Sequence, residues 1–99
     1  INWSDKSRDI VNLIRGLSPA PAAYSSLDGQ VLKIFSAEIL TVSISQPPGT
    51  IAAPVAAGLP VAAADGHVIV KDVQLAGKKR MPIGDFLRGC RLTPGKILG

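Results

Sequence analysis

The sequence predicts a mainly β fold with flanking helices: a small OB-like (Greek-key) barrel, an N-terminal helix and a short C-terminal helix. Three observations carry this reading. Short β-rich runs recur between tight-turn signals from Val31 to Leu75, a spacing that suits a small barrel. Helical periodicity is confined to the two ends of the chain. With 99 residues, 46% of them apolar, the chain can close one core and forms a single domain over 1–99.

The elements follow in order. Ser4 is placed to cap the first helix and Asp5 to favour its dipole, while Ile10, Leu13, Ile14 and Leu17 keep helical spacing. Gly16 offers a stop and Pro19 and Pro21 forbid continuation, so the helix is expected over roughly Asp5–Arg15. Ser18–Ser26 reads as a Pro- and Ala-rich connector that includes Tyr24. Leu27-Asp28-Gly29-Gln30 is a tight turn. Val31–Ala37 alternates, with Val31, Lys33 and Phe35 on one side and Leu32, Ile34 and Ser36 on the other. β-Rich composition continues through Glu38–Ser45, and a bend or bulge near Ala37 would join the two stretches. Gln46-Pro47-Pro48-Gly49 is the strongest turn. Thr50-Ile51-Ala52 suggests a short strand. Val61–Ala64 and Val68–Val70 flank Asp65-Gly66, a two-residue hairpin signal, and Asp72–Leu75 suggests one strand more. Pro82 suits the first turn of a helix carrying Ile83, Phe86, Leu87 and Arg88, which Gly89 ends. Thr93-Pro94-Gly95 is a last turn before the apolar tail Ile97-Leu98. The count is five or six strands.

Composition narrows the function classes. Aromatic residues make up 4%, so Val, Ile, Leu and Ala must fill the core. Eleven Lys and Arg against seven Asp and Glu give a net charge of +4. That balance suits a polyanion, either nucleic acid or an anionic membrane surface, and is equally compatible with a soluble domain that happens to be basic. Cys90 is the sole cysteine, which excludes an internal disulfide framework and a multi-cysteine metal site. It fits a reducing cytosol, and such a residue is usually a small packed hydrophobe. The most apolar run, Thr50–Ala64, is broken by Pro54, Gly58 and Pro60 and cannot span a bilayer of ~30 Å. No signal peptide is visible in Ile1–Asp5. The opening Ile1-Asn2-Trp3, without an initiator Met, reads as a domain cut at a linker from a longer polypeptide.

Catalytic chemistry is not evident. His67 is the only histidine; it lacks companions at metal-ligand spacing and reads as a solvent-facing strand residue. Asp28 and Asp65 precede Gly in turns, Asp85 opens the last helix, and Glu38 stands alone beside a strand. Gly77-Lys78-Lys79 is not a phosphate loop, because Asp72 and Lys79 stand where that loop needs Gly and Ser or Thr. What remains is basic. Lys78, Lys79 and Arg80 form a run beside a helix start, Arg88 and Arg91 flank the end of that helix with Lys96 beyond, and Lys33 and Lys71 lie on or beside strands. Such groups hold phosphates without reading bases. No exposed aromatic stripe is evident, so stacking on single-stranded bases is not supported.

Taken in order, several short stretches resemble the C-terminal domain of the methionyl-tRNA formyltransferase family. They are Ile1-Asn2-Trp3; Ile14-Arg15-Gly16-Leu17; Pro19 and Pro21 with Tyr24; Leu27-Asp28-Gly29; Lys33-Ile34-Phe35 with Ala37; Pro48-Gly49-Thr50; Asp65-Gly66; Leu75-Ala76-Gly77-Lys78-Lys79-Arg80-Met81; Phe86-Leu87-Arg88-Gly89; and Pro94-Gly95. No piece is specific alone, but the ordered set with its Gly-Lys-Lys-x-Met element is. The resemblance implies an OB-like barrel joined to an N-terminal Rossmann-type catalytic domain. It implies an enzyme of translation initiation, a cytoplasmic monomer with no membrane partner. That enzyme moves a formyl group from 10-formyltetrahydrofolate to the methionine amino group of initiator methionyl-tRNA. The family's catalytic trio and folate loop belong to the N-terminal domain, so neither catalytic, cofactor nor metal residues are expected here. A tRNA-holding role comes over to Lys78 and Lys79, with Arg80 as their neighbour; Lys33, Arg88 and Arg91 complete the candidate set. Ser18-Pro19-Ala20-Pro21-Ala22 departs from the family's frequent Asn-Pro-Trp-Pro-Gly.

Two further readings stand beside the tRNA-binding one. A structural module would dock on a catalytic domain through the Ala-rich segment and the tail Ile97-Leu98. A related formyltransferase would use the same fold for a non-RNA substrate.

Overall fold

A computed structural model describes residues 1–40, 46–90 and 92–99. Its elements are α1 (Ser7–Leu17), β1 (Ala23–Leu27), β2 (Gln30–Leu40), β3 (Leu59–Ala62), β4 (His67–Leu75), β5 (Met81–Pro82) and α2 (Ile83–Gly89). The fold is mainly β with one helix at each end, as the turn spacing predicts. The strands form one antiparallel sheet in the order β1-β2-β4-β3, with β5 added to β4. The sheet curls into a half-barrel.

The curl has its origin in β2. Its register on β4 slips on either side of Ser36, from Ile34↔Val73 through Ser36↔Asp72 to Ala37↔Val70. This is the bulge expected near Ala37. An extra residue bends a strand and raises its twist. It also resets the side-chain alternation: Leu32 and Ile34 point into the core, then Phe35 is buried beside Ile34 and Ala37 follows inward. Phe35, grouped by alternation with Val31 and Lys33, is buried where they are exposed, yet it stands outside the main core cluster with the Arg80 guanidinium over its ring. The anticipated continuation of this strand over 41–45 lies outside the described residues.

The hairpin at Leu27–Gln30 is as predicted, with Asp28 and Gly29 both at positive φ and Leu27 paired with Gln30. Its first arm is not. Ser18–Ser26 reads as a connector, yet Ala23–Leu27 is a strand whose alternate residues Ala23, Ser25 and Leu27 are buried. Small and polar side chains hide the pattern. Ser25 tolerates burial because its Oγ accepts from Trp3 Nε1 at 2.9 Å and donates to the Gly99 carbonyl.

The later strands also regroup. Val68–Val70 and Asp72–Leu75 are one strand, β4, rather than two. β3 is Leu59–Ala62, not Val61–Ala64, and four residues separate its last pair, Ala62↔His67. Thr50 and Ile51 form isolated bridges to Ile97 and Val61 in place of a strand. Pro82 stands just before α2, in β5, and not within its first turn. Leu98 is buried, and Gly99 exchanges two backbone hydrogen bonds with Ser26. Of the apolar tail, Leu98 belongs to this domain's own core, while Ile97 is exposed.

α1 begins two residues later than the Ser4 cap implies and runs through Gly16. Ser4 does not cap it; its N–H is taken by Asn2 Oδ1 at 3.0 Å. The helix start is satisfied from far away. The Ser7 N–H donates to Asp65 Oδ1 at 2.8 Å, and the Ala64 N–H donates to the Asp5 carbonyl at 3.1 Å. A carboxylate at a helix N-terminus meets unpaired N–H groups and the positive dipole end together. Ile10 and Ile14 then enter a core completed by Ile34, Ile51, Leu59, Val61, Val68, Val70 and Val73. Full burial of each such side chain stabilises by about 1.5–3 kcal/mol.

Two predictions test this architecture. The hydrogen bond from the Ser7 backbone holds the Asp65 carboxyl below its ordinary value. A depressed folded value means the contribution is complete above the unfolded value, about 3.9, and is lost as pH falls through the folded one. Asp65→Ala should therefore lower the melting temperature at pH 7. The gap from wild type should close as thermal scans move below about pH 4. Gly58 has φ +147°, and a Cβ there would lie 2.4 Å from the Val70 carbonyl oxygen and 2.9 Å from Ile69 Cγ2. Gly58→Ala should cost about 3 kcal/mol or more, read by urea unfolding.

Candidate nucleic-acid interface

The sequence presents the basic residues as one set, and the fold sorts them. The Lys78 turn closes when the Lys78 N–H donates to the Leu75 carbonyl at 2.9 Å. Gln74 Nε2 braces it by donating to the Lys78 carbonyl at 2.9 Å. Lys78 and Lys79 both project as exposed residues from this turn. Lys33 is exposed on β2 and is the Cα partner of Gln74, so it stands one strand away from the same turn. Val31, Lys33, Gln74, Leu75, Ala76 and Gly77 line one shallow groove there.

Among the described residues, Lys33, Lys78 and Lys79 make no ion pair, while four other cations do. Arg80 donates to Asp72 Oδ2 through Nε at 3.2 Å and Nη2 at 2.8 Å. Its guanidinium carbon also sits 4.3 Å from the centre of the Phe35 ring. Arg88 pairs with Asp85 within α2, Lys71 with Glu38 at 3.0 Å across β4 and β2, and Lys96 with Asp28 at 2.7 Å. Arg88 also lies on the flank of α2 facing Pro54–Gly58, whereas Lys78 faces the other flank with Asp85 and Gly89. Of the six candidates, Lys33 neighbours the turn that carries Lys78 and Lys79, through its strand partner Gln74. Arg80 serves the fold, Arg88 stands apart, and Arg91 lies outside the described residues.

Some polar groups escape sequence reasoning. Arg8, Asn12 and Arg15 share an exposed side of α1 beside Glu38 and Ile39, and both arginines lack an ion-pair partner among the described residues. Their i, i+4, i+7 spacing was legible but reads as an ordinary polar helix face. Tyr24 is 59% exposed, although the sequence shows no aromatic stripe. His67 corrects its expected exposure: it is half-buried, and both ring nitrogens are shut from solvent without a hydrogen-bond partner among the described residues. Cys90 packs against the core as expected. Among the described residues no three His, Cys, Asp or Glu side chains gather as metal ligands, and no helix is long and apolar enough to cross a membrane.

The described residues thus form a curled antiparallel sheet flanked by two helices, with a lysine turn at one end. Residues 1–91 match the family described as formyl transferase, C-terminal domain, and the chain belongs to that family. The methionyl-tRNA formyltransferase of Syntrophus aciditrophicus is 46% identical over 99 residues, which cover all of this chain and 32% of that protein. Those of Geotalea uraniireducens and Clostridium acetobutylicum are 42% and 44% identical, over 100% and 99% of the chain and 31% and 32% of their own lengths. The chain thus spans about a third of the length of these relatives.

The sorting makes Arg80 separable from the lysines. Arg80→Lys keeps the charge but loses the planar fork and most of the stacking on Phe35. It should destabilise the domain by about 1 kcal/mol in denaturant melts.

Proposed function

We propose that this chain is the tRNA-holding domain of a methionyl-tRNA formyltransferase. The observation that carries the reading is the cluster of unpaired lysines, Lys33, Lys78 and Lys79, in a chain whose relatives bear that name. The ligand is initiator methionyl-tRNA. The formyl donor, 10-formyltetrahydrofolate, and the transfer chemistry belong to a preceding Rossmann-type domain of a monomeric cytoplasmic enzyme. This domain's contribution is electrostatic. Lysines on a braced turn approach backbone phosphates and displace condensed counterions, which gives affinity and orientation but no base readout. The reading with a non-RNA substrate gains no support from the relatives' names.

A salt titration of binding to initiator and elongator tRNA tests this. Both should bind with nearly equal, salt-sensitive affinity. Lys78→Ala with Lys79→Ala should weaken both alike and flatten the log–log salt slope by about one unit per lysine. Arg88→Ala should leave the slope almost unchanged, because Asp85 already neutralises it. No binding at low salt, or an unaltered slope in the double variant, would sink the proposal.

A further inference from the structure

An apolar groove of about 480 Å³ runs between α1 and the outer face of the β1–β2 hairpin. Ile1, Leu13, Leu17, Tyr24, Val31 and Lys33 are among its lining residues. Leu13 at 42%, Tyr24 at 59% and Val31 at 44% are three of the most exposed large hydrophobic residues described. Grouped exposed apolar side chains of this kind mark a contact surface, whereas scattered ones are ordinary.

The edge of the sheet beside the groove is almost fully used. β1 is an edge strand. The Leu27↔Gln30 pair closes a two-residue hairpin, so Ala23, Ser25 and Leu27 bond to β2, and Tyr24 and Ser26 turn their backbone groups outward. Both groups of Ser26 are taken by Gly99, and the Tyr24 carbonyl accepts from the Ile1 nitrogen at 2.8 Å. The Tyr24 N–H is left outward-facing without a partner among the described residues.

We infer that the groove and this edge are a docking site for the polypeptide leading into Ile1 in the full-length protein. Three observations choose that occupant. Relatives in which this chain is matched are about three times its length. Ile1 already lines the groove. Its nitrogen already bonds to the Tyr24 carbonyl, and a segment continuing from there as a parallel strand would take its next bond from the Tyr24 N–H to the carbonyl two residues before Ile1. Apolar side chains of that segment fill the space between Leu13 and Val31. Covalent attachment makes the contact intramolecular, so a modest apolar surface suffices. The consequence is positional: the leading segment is clamped on the hairpin whose β2 carries Lys33, so the preceding domain is held at a defined place relative to the lysine cluster. The inference rests on the family and the relatives' length, not on RNA binding.

Residue-resolved amide exchange on the full-length protein tests it, comparing wild type with a variant carrying Leu13→Asp and Val31→Lys. The Tyr24 amide should be protected in wild type and exchange about tenfold or more faster in the variant. The Ile34 and Val70 amides should be unchanged, reporting an intact core. Limited proteolysis just before Ile1 should accelerate in parallel. A Tyr24 amide exchanging at the unprotected rate in wild type overturns the inference even if the variant unfolds. Protection that appears only at high protein concentration, or only on adding tRNA, also overturns it, in favour of a second copy or of RNA respectively.

Discussion

The rest of the molecule hangs on the antiparallel pairing of β2 with β4. These are the two longest strands, and every other strand is attached to one of them. The slip around Ser36 is the constraint that gives this ladder its shape. Before it, Leu32 and Ile34 face the core and Lys33 faces out; after it, Ala37 faces in. Phe35 is consumed by the bulge and becomes the floor under the Arg80 guanidinium. Asp72, opposite Ser36, grips the same guanidinium from the side. One irregularity in β2 therefore bends the sheet and fixes the residue that follows the two lysines. Lys78 and Lys79 are suspended between a closed turn on one side and an anchored arginine on the other.

A second constraint joins the ends of the sequence to its middle. Asp65 and Ala64, in the β3–β4 loop, bond to the start of α1, and Gly99 bonds to β1. Trp3 is buried with its indole N–H on Ser25, a residue that also reaches Gly99. With few aromatics available, the fold closes by such long-range polar staples around an aliphatic core, and the first helix is held by the loop farthest from it in the sheet's connectivity.

What was legible in the sequence was local. The turns at Asp28-Gly29 and Pro94-Gly95, the helix-forming periodicity of Ile10 and Ile14, and a bulge close to Ala37 each depend on residues near one another, and the structure contains them. β1 was illegible because its inward residues are Ala23, Ser25 and Leu27, and a buried serine looks polar until Trp3 and Gly99 are placed beside it. The start of α1 was misplaced for the same reason: its partner is 58 positions away. The candidate site divides along the same line. Net charge and the run Lys78-Lys79-Arg80 were plain. Which cations stay available was not, because Lys71 is neutralised across a strand pair and Lys96 from the far end of the chain.

That partition has a chemical logic. Arginine's planar fork suits a fixed carboxylate and an aromatic face, and Arg80 is used on both inside the fold. Lysine is a hydrated point charge on a flexible stem, suited to a phosphate whose position varies. Beside the Lys78 turn, lysines without an ion pair next to an arginine tied down therefore support holding a backbone over reading a base. Base-edge recognition in this family of contacts would want unengaged, rigidly placed bidentate donors, and beside the Lys78 turn the one such donor is already occupied. On the tRNA-holding reading proposed above, selection among tRNAs falls to surfaces outside these lysines, which would keep the substrate close while that selection is made.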